Sequence, residues 1–190
     1  LGVWRERLDR RGVLVTSGHV AVTARLPDPT AFAPFGAFLE PPGDVGARAL
    51  FSSWMEPVPG RSPRYHLNRV APSALPATLD RVERHPHAAQ LFLPIGVSRY
   101  LVTVMPSDVA GRPDASRAQA YVVPGTVGVA YHPGTWHAGI AVLDREASFA
   151  VLMWRGGDDD DEFASIPALE IAVEPGSGAR ALDHGGDRDG

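Results

Sequence analysis

The sequence predicts an all-β fold, an antiparallel sandwich or barrel with one or two short helices. Several short runs alternate apolar and polar residues at roughly ten-residue spacing, the pattern of half-buried strands. Twenty glycines and 18 prolines are spread through all 190 residues, which suits many tight turns. A clear helix-start signal occurs once, at Asp28-Pro29, where an N-cap side chain precedes a proline at the first helical position.

Residues 1–19 read as an appendage, residues 20–175 as one domain, and the Gly- and Asp-rich stretch 176–190 as a disordered tail. Val20 to Leu26 (VAVTARL) is the first expected strand. A helix is expected over Thr30 to Phe35, stopped by Gly36. Residues Glu40 to Pro63 are rich in turn formers and carry no periodic signal. Tyr65 to Val70 is the next strand, and from Pro86 onward the pattern is β. Gln90, Phe92 and Pro94 alternate against Leu91 and Leu93; Arg99 to Met105 (RYLVTVM) follows. Gln119 to Val123 and Val127 to His132 are parted by Pro124-Gly125. Phe149, Val151 and Met153 alternate with Ala150, Leu152 and Trp154, and Ile171 to Glu174 closes the pattern.

Composition excludes several chemistries. There is no cysteine, hence no disulfide, thiolate nucleophile or Cys–zinc site. All 18 basic residues are arginine, so a lysine Schiff base is excluded. A net charge of −4 argues against a nucleic-acid partner. No apolar run reaches the roughly 18 residues of a membrane helix. The N-terminal WRERLDRRGVLV is too charged for a signal peptide. The lack of cysteine fits the cytoplasmic location expected here.

Three constellations could carry chemistry. In Glu83-Arg84-His85-Pro86-His87-Ala88-Ala89-Gln90, two imidazoles spaced i, i+2 on an extended segment would share a face. His85, His87, Gln90 and His137 could together bind Zn, Mn, Fe or Ni. The competing reading is that His85 braces a turn and His87 is exposed. In Tyr131-His132-Pro133-Gly134-Thr135-Trp136-His137, two imidazoles flank a Pro-Gly turn, and neutral imidazole is the natural base near pH 7. Trp136 would wall the pocket, or else be a core residue beside a surface histidine. The block Asp158 to Asp161 with Glu162 reads as a solvated loop, from which one carboxylate could orient a pocket histidine. Arg64, Arg69 and Arg84 are candidate carboxylate anchors, or structural partners of Glu83.

At these residues the chain resembles the ureidoglycolate lyase family of the cupin superfamily. The matching segments are Phe32-x-x-Phe35-Gly36, Leu67-Asn68-Arg69, Glu83-Arg84-His85-Pro86, Gln90-x-Phe92-x-Pro94, Gly128-Val129-x-Tyr131-His132-x-x-x-Trp136-His137, Asp159-x-Asp161 and Ser165-Ile166-Pro167. The resemblance covers about residues 20–174. It implies a double-stranded β-helix, a jelly-roll-like barrel that is often dimeric. It implies release of urea from (S)-ureidoglycolate to leave glyoxylate, in allantoin and purine nitrogen salvage, with no cofactor or one divalent metal (Ni, Zn, Mn or Fe). Under that resemblance His137 is the general base and His132 its alternate, while His85 and Gln90 position the substrate. Arg69 holds the carboxylate with Arg84 second, and Tyr131 and Trp136 line the site. The chain departs from the family pattern at Ala138, where a second histidine is usual, at Trp154-Arg155 and at Asp159-Asp160-Asp161. The rival readings are a metal-dependent cupin of another reaction class, a non-catalytic binder of a small carboxylate, and a lyase for a related ureido, amidino or hydroxy acid.

Overall fold

The computed structural model describes residues 20–173, together with two short strands near the N-terminus, β1 (Arg7–Leu8) and β2 (Leu14–Val15), which pair with each other. The expectation of a disordered 176–190 lies outside the described residues. The domain opens with β3 (Val20–Ala24), a single-turn helix α1 (Pro29–Phe32) and β4 (Gly36–Leu39). It continues through β5 (Ser62–Val70), β6 (Ala77–Arg84), β7 (Gln90–Ile95) and β8 (Arg99–Met105). After these come β9 (Gln119–Pro124), β10 (Gly128–Tyr131), β11 (Trp136–His137), β12 (Ala141–Val142), β13 (Ala147–Arg155) and β14 (Glu162–Val173). No helix among the described residues is long and apolar enough to cross a membrane.

The strands form two sheets. Sheet one runs β4-β10-β7-β13-β5; sheet two runs β12-β8-β11-β6-β14-β3, with β9 also on β8. All pairings are antiparallel except β14 with β3. Sheet two curls until its ends meet: the Arg25 N–H donates to the Ala120 carbonyl and the Val122 N–H to that of Arg25, at 3.1 and 2.8 Å. Two opposed sheets of this kind make the all-β, jelly-roll-like double-stranded β-helix that the sequence leads one to expect.

The curl explains why β8 is apolar on both faces. Tyr100, Val102 and Val104 point at sheet one and pack with Phe92, Phe149 and Val151. Leu101 points into the curl, with Val122 and Ile171, and Met105 lies there too, beside Trp136 and Leu169. Each fully buried side chain of this size contributes about 1.5–3 kcal/mol. The central aromatics also meet edge to face, Tyr100 on Phe149 at 5.1 Å and 73°.

Several sequence expectations are corrected. The helix is shorter than Thr30 to Phe35: Asp28 caps it, accepting from Thr30 and Ala31 N–H at 3.0 Å, but only Pro29–Phe32 is helical. Gly36 begins β4 rather than only stopping the helix. A Cβ there would lie 1.9 Å from the Ala130 carbonyl oxygen, so the register of β4 on β10 requires glycine. Strand β6 is absent from the sequence reading because Asp80, Arg81, Glu83 and Arg84 mask its period. It is nonetheless central in sheet two. Strand β14 is far longer than Ile171 to Glu174, and its register shifts between Ser165 and Leu169.

Gly36→Ala is expected to lower stability by about 1–3 kcal/mol, the usual size of enforced local strain. Urea unfolding followed by tryptophan fluorescence measures it.

Candidate functional site

Antiparallel pairing places partners on one face, and two pairings build the site. His137 of β11 pairs with Glu83 of β6, so both side chains leave sheet two toward sheet one. His85, two residues beyond Glu83, follows the same direction. Across the gap, Gln90 of β7 faces Met153 of β13, and Asn68 and His66 of β5 face Phe149 and Val151. Glu83, His85, Gln90, Met153, Asn68, His66 and Val151 line a cavity of about 230 Å³ with Phe92, Gly139, Ile140, Arg155 and Asp161, and His137 is buried beside it, against Glu83.

The tautomers follow from the partners. His137 Nδ1 lies 2.9 Å from the Thr135 carbonyl oxygen, which can only accept, so Nδ1 carries the proton. His85 Nδ1 donates to Asp161 Oδ1 at 2.8 Å, and Asp161 is paired on its other oxygen with Arg155. In both rings Nε2 is therefore left as a buried lone pair, that of His85 in the cavity lining and that of His137 beside Glu83. His137 Nε2 sits 3.6 Å from Glu83 Oε1, and the rings of His85 and His137 are 5.3 Å apart. The Tyr131 ring stacks on His137 at 4.2 Å and fixes its plane.

Five buried side-chain atoms lack a protein partner among the described residues: Asn68 Oδ1, His85 Nε2, Gln90 Oε1, Tyr131 Oη and His137 Nε2. Each such atom costs about 1–3 kcal/mol when left unmade. They gather in and beside one cavity, which marks it as built for a ligand. The Glu83 carboxyl is held below its ordinary range by the adjacent His137 imidazole, against the opposing effect of burial. Burial, and then the neighbouring His137, push the His85 imidazole below its ordinary value despite the carboxylates nearby. Burial raises the Tyr131 hydroxyl well above 10, so it stays protonated.

An ionised carboxylate facing an imidazole lone pair leaves room for a positive centre between them, either a proton on His137 Nε2 or a cation. Glu83, His85 and His137 offer ligand atoms within 4.8 Å of one another and could hold a divalent metal.

The structure separates the other expected site residues. His85 and His87 do not share a face, because the chain bends after β6. His87 is exposed and meets Asp159 at 2.7 Å, so Glu83 takes its place in the metal-capable group. Gln90 lines the cavity. His132 stacks on Trp54 at 4.8 Å and bonds to the Ala33 carbonyl, away from His137. Trp136 points into the curl of sheet two, with Arg84 over its ring at 4.6 Å and its N–H on the Gly111 carbonyl. Arg84 pairs with Glu162, not Glu83. Arg69 lies on the outer face of β5, paired with Glu146, while its neighbour Asn68 faces the cavity. Register places Arg64 opposite Met153, on the cavity side of β5.

The aspartates form a loop that is only partly solvated: Asp158 and Asp159 are exposed, and one carboxylate, Asp161, does reach a pocket histidine. Asp159 pairs with Arg61 and His87. Asp160 is buried and accepts from the Gly156 and Gly157 N–H groups and from Arg61 Nε. Asp161 orients His85. Asn68, Arg155 and His66 were missed as site residues, since only the long-range register brings them there. Their one sequence signal was position on, or at the end of, an alternating run.

The ureidoglycolate lyase family model matches residues 20–172. Ureidoglycolate lyases of Escherichia coli strains SMS-3-5 and K12/DH10B are 36% and 35% identical to this chain over 105 residues. Those residues are 55% of this chain, and the chain spans 64% of the length of these curated relatives. A solved dTDP sugar isomerase from Desulfovibrio desulfuricans G20 aligns over 68% of this chain and 82% of its own, at 17% identity and a TM-score of 0.42. Nothing further rests on that likeness.

Because His85 takes up its proton at lower pH when folded, the unfolded chain protonates first as pH falls below about 6.5. Stability is expected to decline from there down through the lowered value. His85→Asn should flatten that part of the profile, read as urea midpoints of metal-free protein between about pH 7.5 and 5.

Proposed function

From the premise that this chain belongs to the ureidoglycolate lyase family, we propose that it eliminates urea from (S)-ureidoglycolate to give glyoxylate. One observation carries the reading. Asn68 Oδ1, Gln90 Oε1 and His85 Nε2 are unpartnered acceptors lining one cavity, and a ureido group offers three N–H donors to them.

Ureidoglycolate carries a hydroxyl, a carboxylate and the ureido nitrogen on one carbon. His137 Nε2 takes the hydroxyl proton as the carbonyl forms, and Glu83 at 3.6 Å stabilises the imidazolium. The same imidazolium returns the proton to the nitrogen as the carbon–nitrogen bond breaks, so protons balance without a second acid. His85, kept neutral by burial and aimed by Asp161, accepts from the ureido group. Arg155 holds the carboxylate in place of Arg69: it lines the cavity, and its Nη1 meets only the Met153 sulfur, at 3.7 Å. Arg64, on the same face of β5 as His66 and Asn68, is the second candidate guanidinium. A divalent cation held by Glu83, His85 and His137 would add Lewis-acid polarisation of the substrate oxygens.

The proposal includes a cytoplasmic homodimer serving allantoin nitrogen salvage. Tyr65, Leu67, Leu93 and Ile95 are apolar and exposed on the outer face of sheet one, which supports association. A metal-dependent reaction of another class is the second reading, favoured by the same Glu83, His85 and His137 group.

His137→Ala is expected to slow glyoxylate release by about 10²–10⁴-fold, and turnover within about threefold of the parent would remove the base assignment. Calorimetric titration with Zn²⁺, Ni²⁺ or Mn²⁺ separates the two ligand sets. Glu83→Gln should weaken any binding by more than about tenfold, while His87→Ala leaves it unchanged. Full activity after chelation would favour the proton over the metal.

A further inference from the structure

Strands β6 and β11 pair only through Glu83 and His137. Beyond that pair the chain parts from β6 and stays bonded to β8, the Ala138 N–H donating to the Thr103 carbonyl at 2.9 Å. His137 faces Val104 and Ala141 faces Leu101, so the connecting segment Ala138 to Ile140 spans β8 with one residue more than β8 supplies. It is a bulge. The bulge lies where β6 and β8 are no longer bridged by β11, beside a second cavity of about 480 Å³ walled by Ala77, Leu79, Arg81, Leu101, Thr103 and Ala138. Gly139 lines both cavities, and a Cβ added there would meet nothing within 4 Å. The two cavities thus adjoin at Gly139, next to Ala138, and these are the two smallest residues that could stand there.

We propose that the second cavity is a subsite for a side arm of the substrate. The inference rests on the lyase reading above and extends its substrate class beyond ureidoglycolate. The further substrate is a 2-hydroxy-2-ureido acid whose reacting carbon bears an aliphatic arm in place of hydrogen. As the carbon–nitrogen bond breaks, the hydroxyl proton passes to the urea nitrogen. The carbon becomes the ketone of a 2-oxo acid longer than glyoxylate, and no co-reactant is required. Two observations support the class. The first cavity, at about 230 Å³, is small beside the roughly 300–1,000 Å³ of ordinary ligand sites, and the second makes up the difference. Leu79, Leu101 and Ala77 suit a hydrocarbon arm. Arg81, poised 4.3 Å over the Phe163 ring and in no ion pair among the described residues, suits an anionic end.

The test is calorimetric binding of three product analogues, glyoxylate, 2-oxopentanoate and 2-oxoglutarate, to the parent protein. Both longer acids are expected to bind at least about tenfold tighter than glyoxylate, the usual worth of added contacts in an apolar pocket. Ala77→Phe, which fills the far cavity from outside the first, should erase that advantage while leaving glyoxylate affinity within about threefold. Arg81→Met should remove the preference for 2-oxoglutarate over 2-oxopentanoate. Glyoxylate binding as tightly as both longer acids overturns the inference and needs no variant to show it. Equal weakening of all three acids by Ala77→Phe also overturns it. If glyoxylate binds and the longer acids do not, only the side arm falls. If none of the three binds, the lyase reading falls with it.

Discussion

The site hangs on one cross-strand pair, His137 opposite Glu83. Pairing between β6 and β11 is that short, yet it fixes three things at once. It sets a carboxylate beside an imidazole on the face that looks at sheet one. It carries His85, two residues on, to the same face. It also ends there, so the strands part immediately afterward and the sheet opens. A one-residue slip would send Glu83 into the curl with Arg84's partners and bring Arg84 to the cavity, which the period of a β-strand makes unavoidable.

The electrostatics follow from that pair and from what surrounds it. Two rings are bound on Nδ1 by acceptors, one a carbonyl and the other a carboxylate, so both leave a buried Nε2 lone pair, His85 at the cavity and His137 against Glu83. Burial keeps His85 neutral, while Glu83 is held ionised by its neighbour. The result is an acceptor-lined wall with a negative charge inside it, a setting that favours a proton, a cation or a donor-rich ligand. Ligands that bring only acceptors meet repulsion from every side except that of Arg155.

Much of the fold was legible because the alternation of β7, β8 and β13 is strong and the turn residues between them are plain. Strand β6 was not, because both of its faces carry charges: Arg81 and Glu83 on one, Asp80 and Arg84 along the other. Of the site, His137, His85 and Gln90 were legible as residue types on or beside strands. Glu83 was read as a partner for arginine, and nothing local distinguishes that role from facing a histidine. Asn68 and Arg155 reach the cavity only through the pairing of β5 with β13, a relation between positions some 80 residues apart. Arg69 and Asn68 are adjacent, and choosing between them requires knowing which face of β5 is the inner one.

The four consecutive aspartates have a consequence for how this protein can change. In the alphabet of the sequence they are a repeat, interchangeable in composition. In the fold, three of them have separate addresses: Asp159 toward Arg61 and His87, Asp160 toward two backbone N–H groups, and Asp161 toward His85 and Arg155. Adding or removing one aspartate would leave the composition nearly intact while changing the spacing from Gly156 and Gly157 to Glu162, across which those addresses are set. The tract is therefore more tolerant of substitution at its first position than of any change in its length.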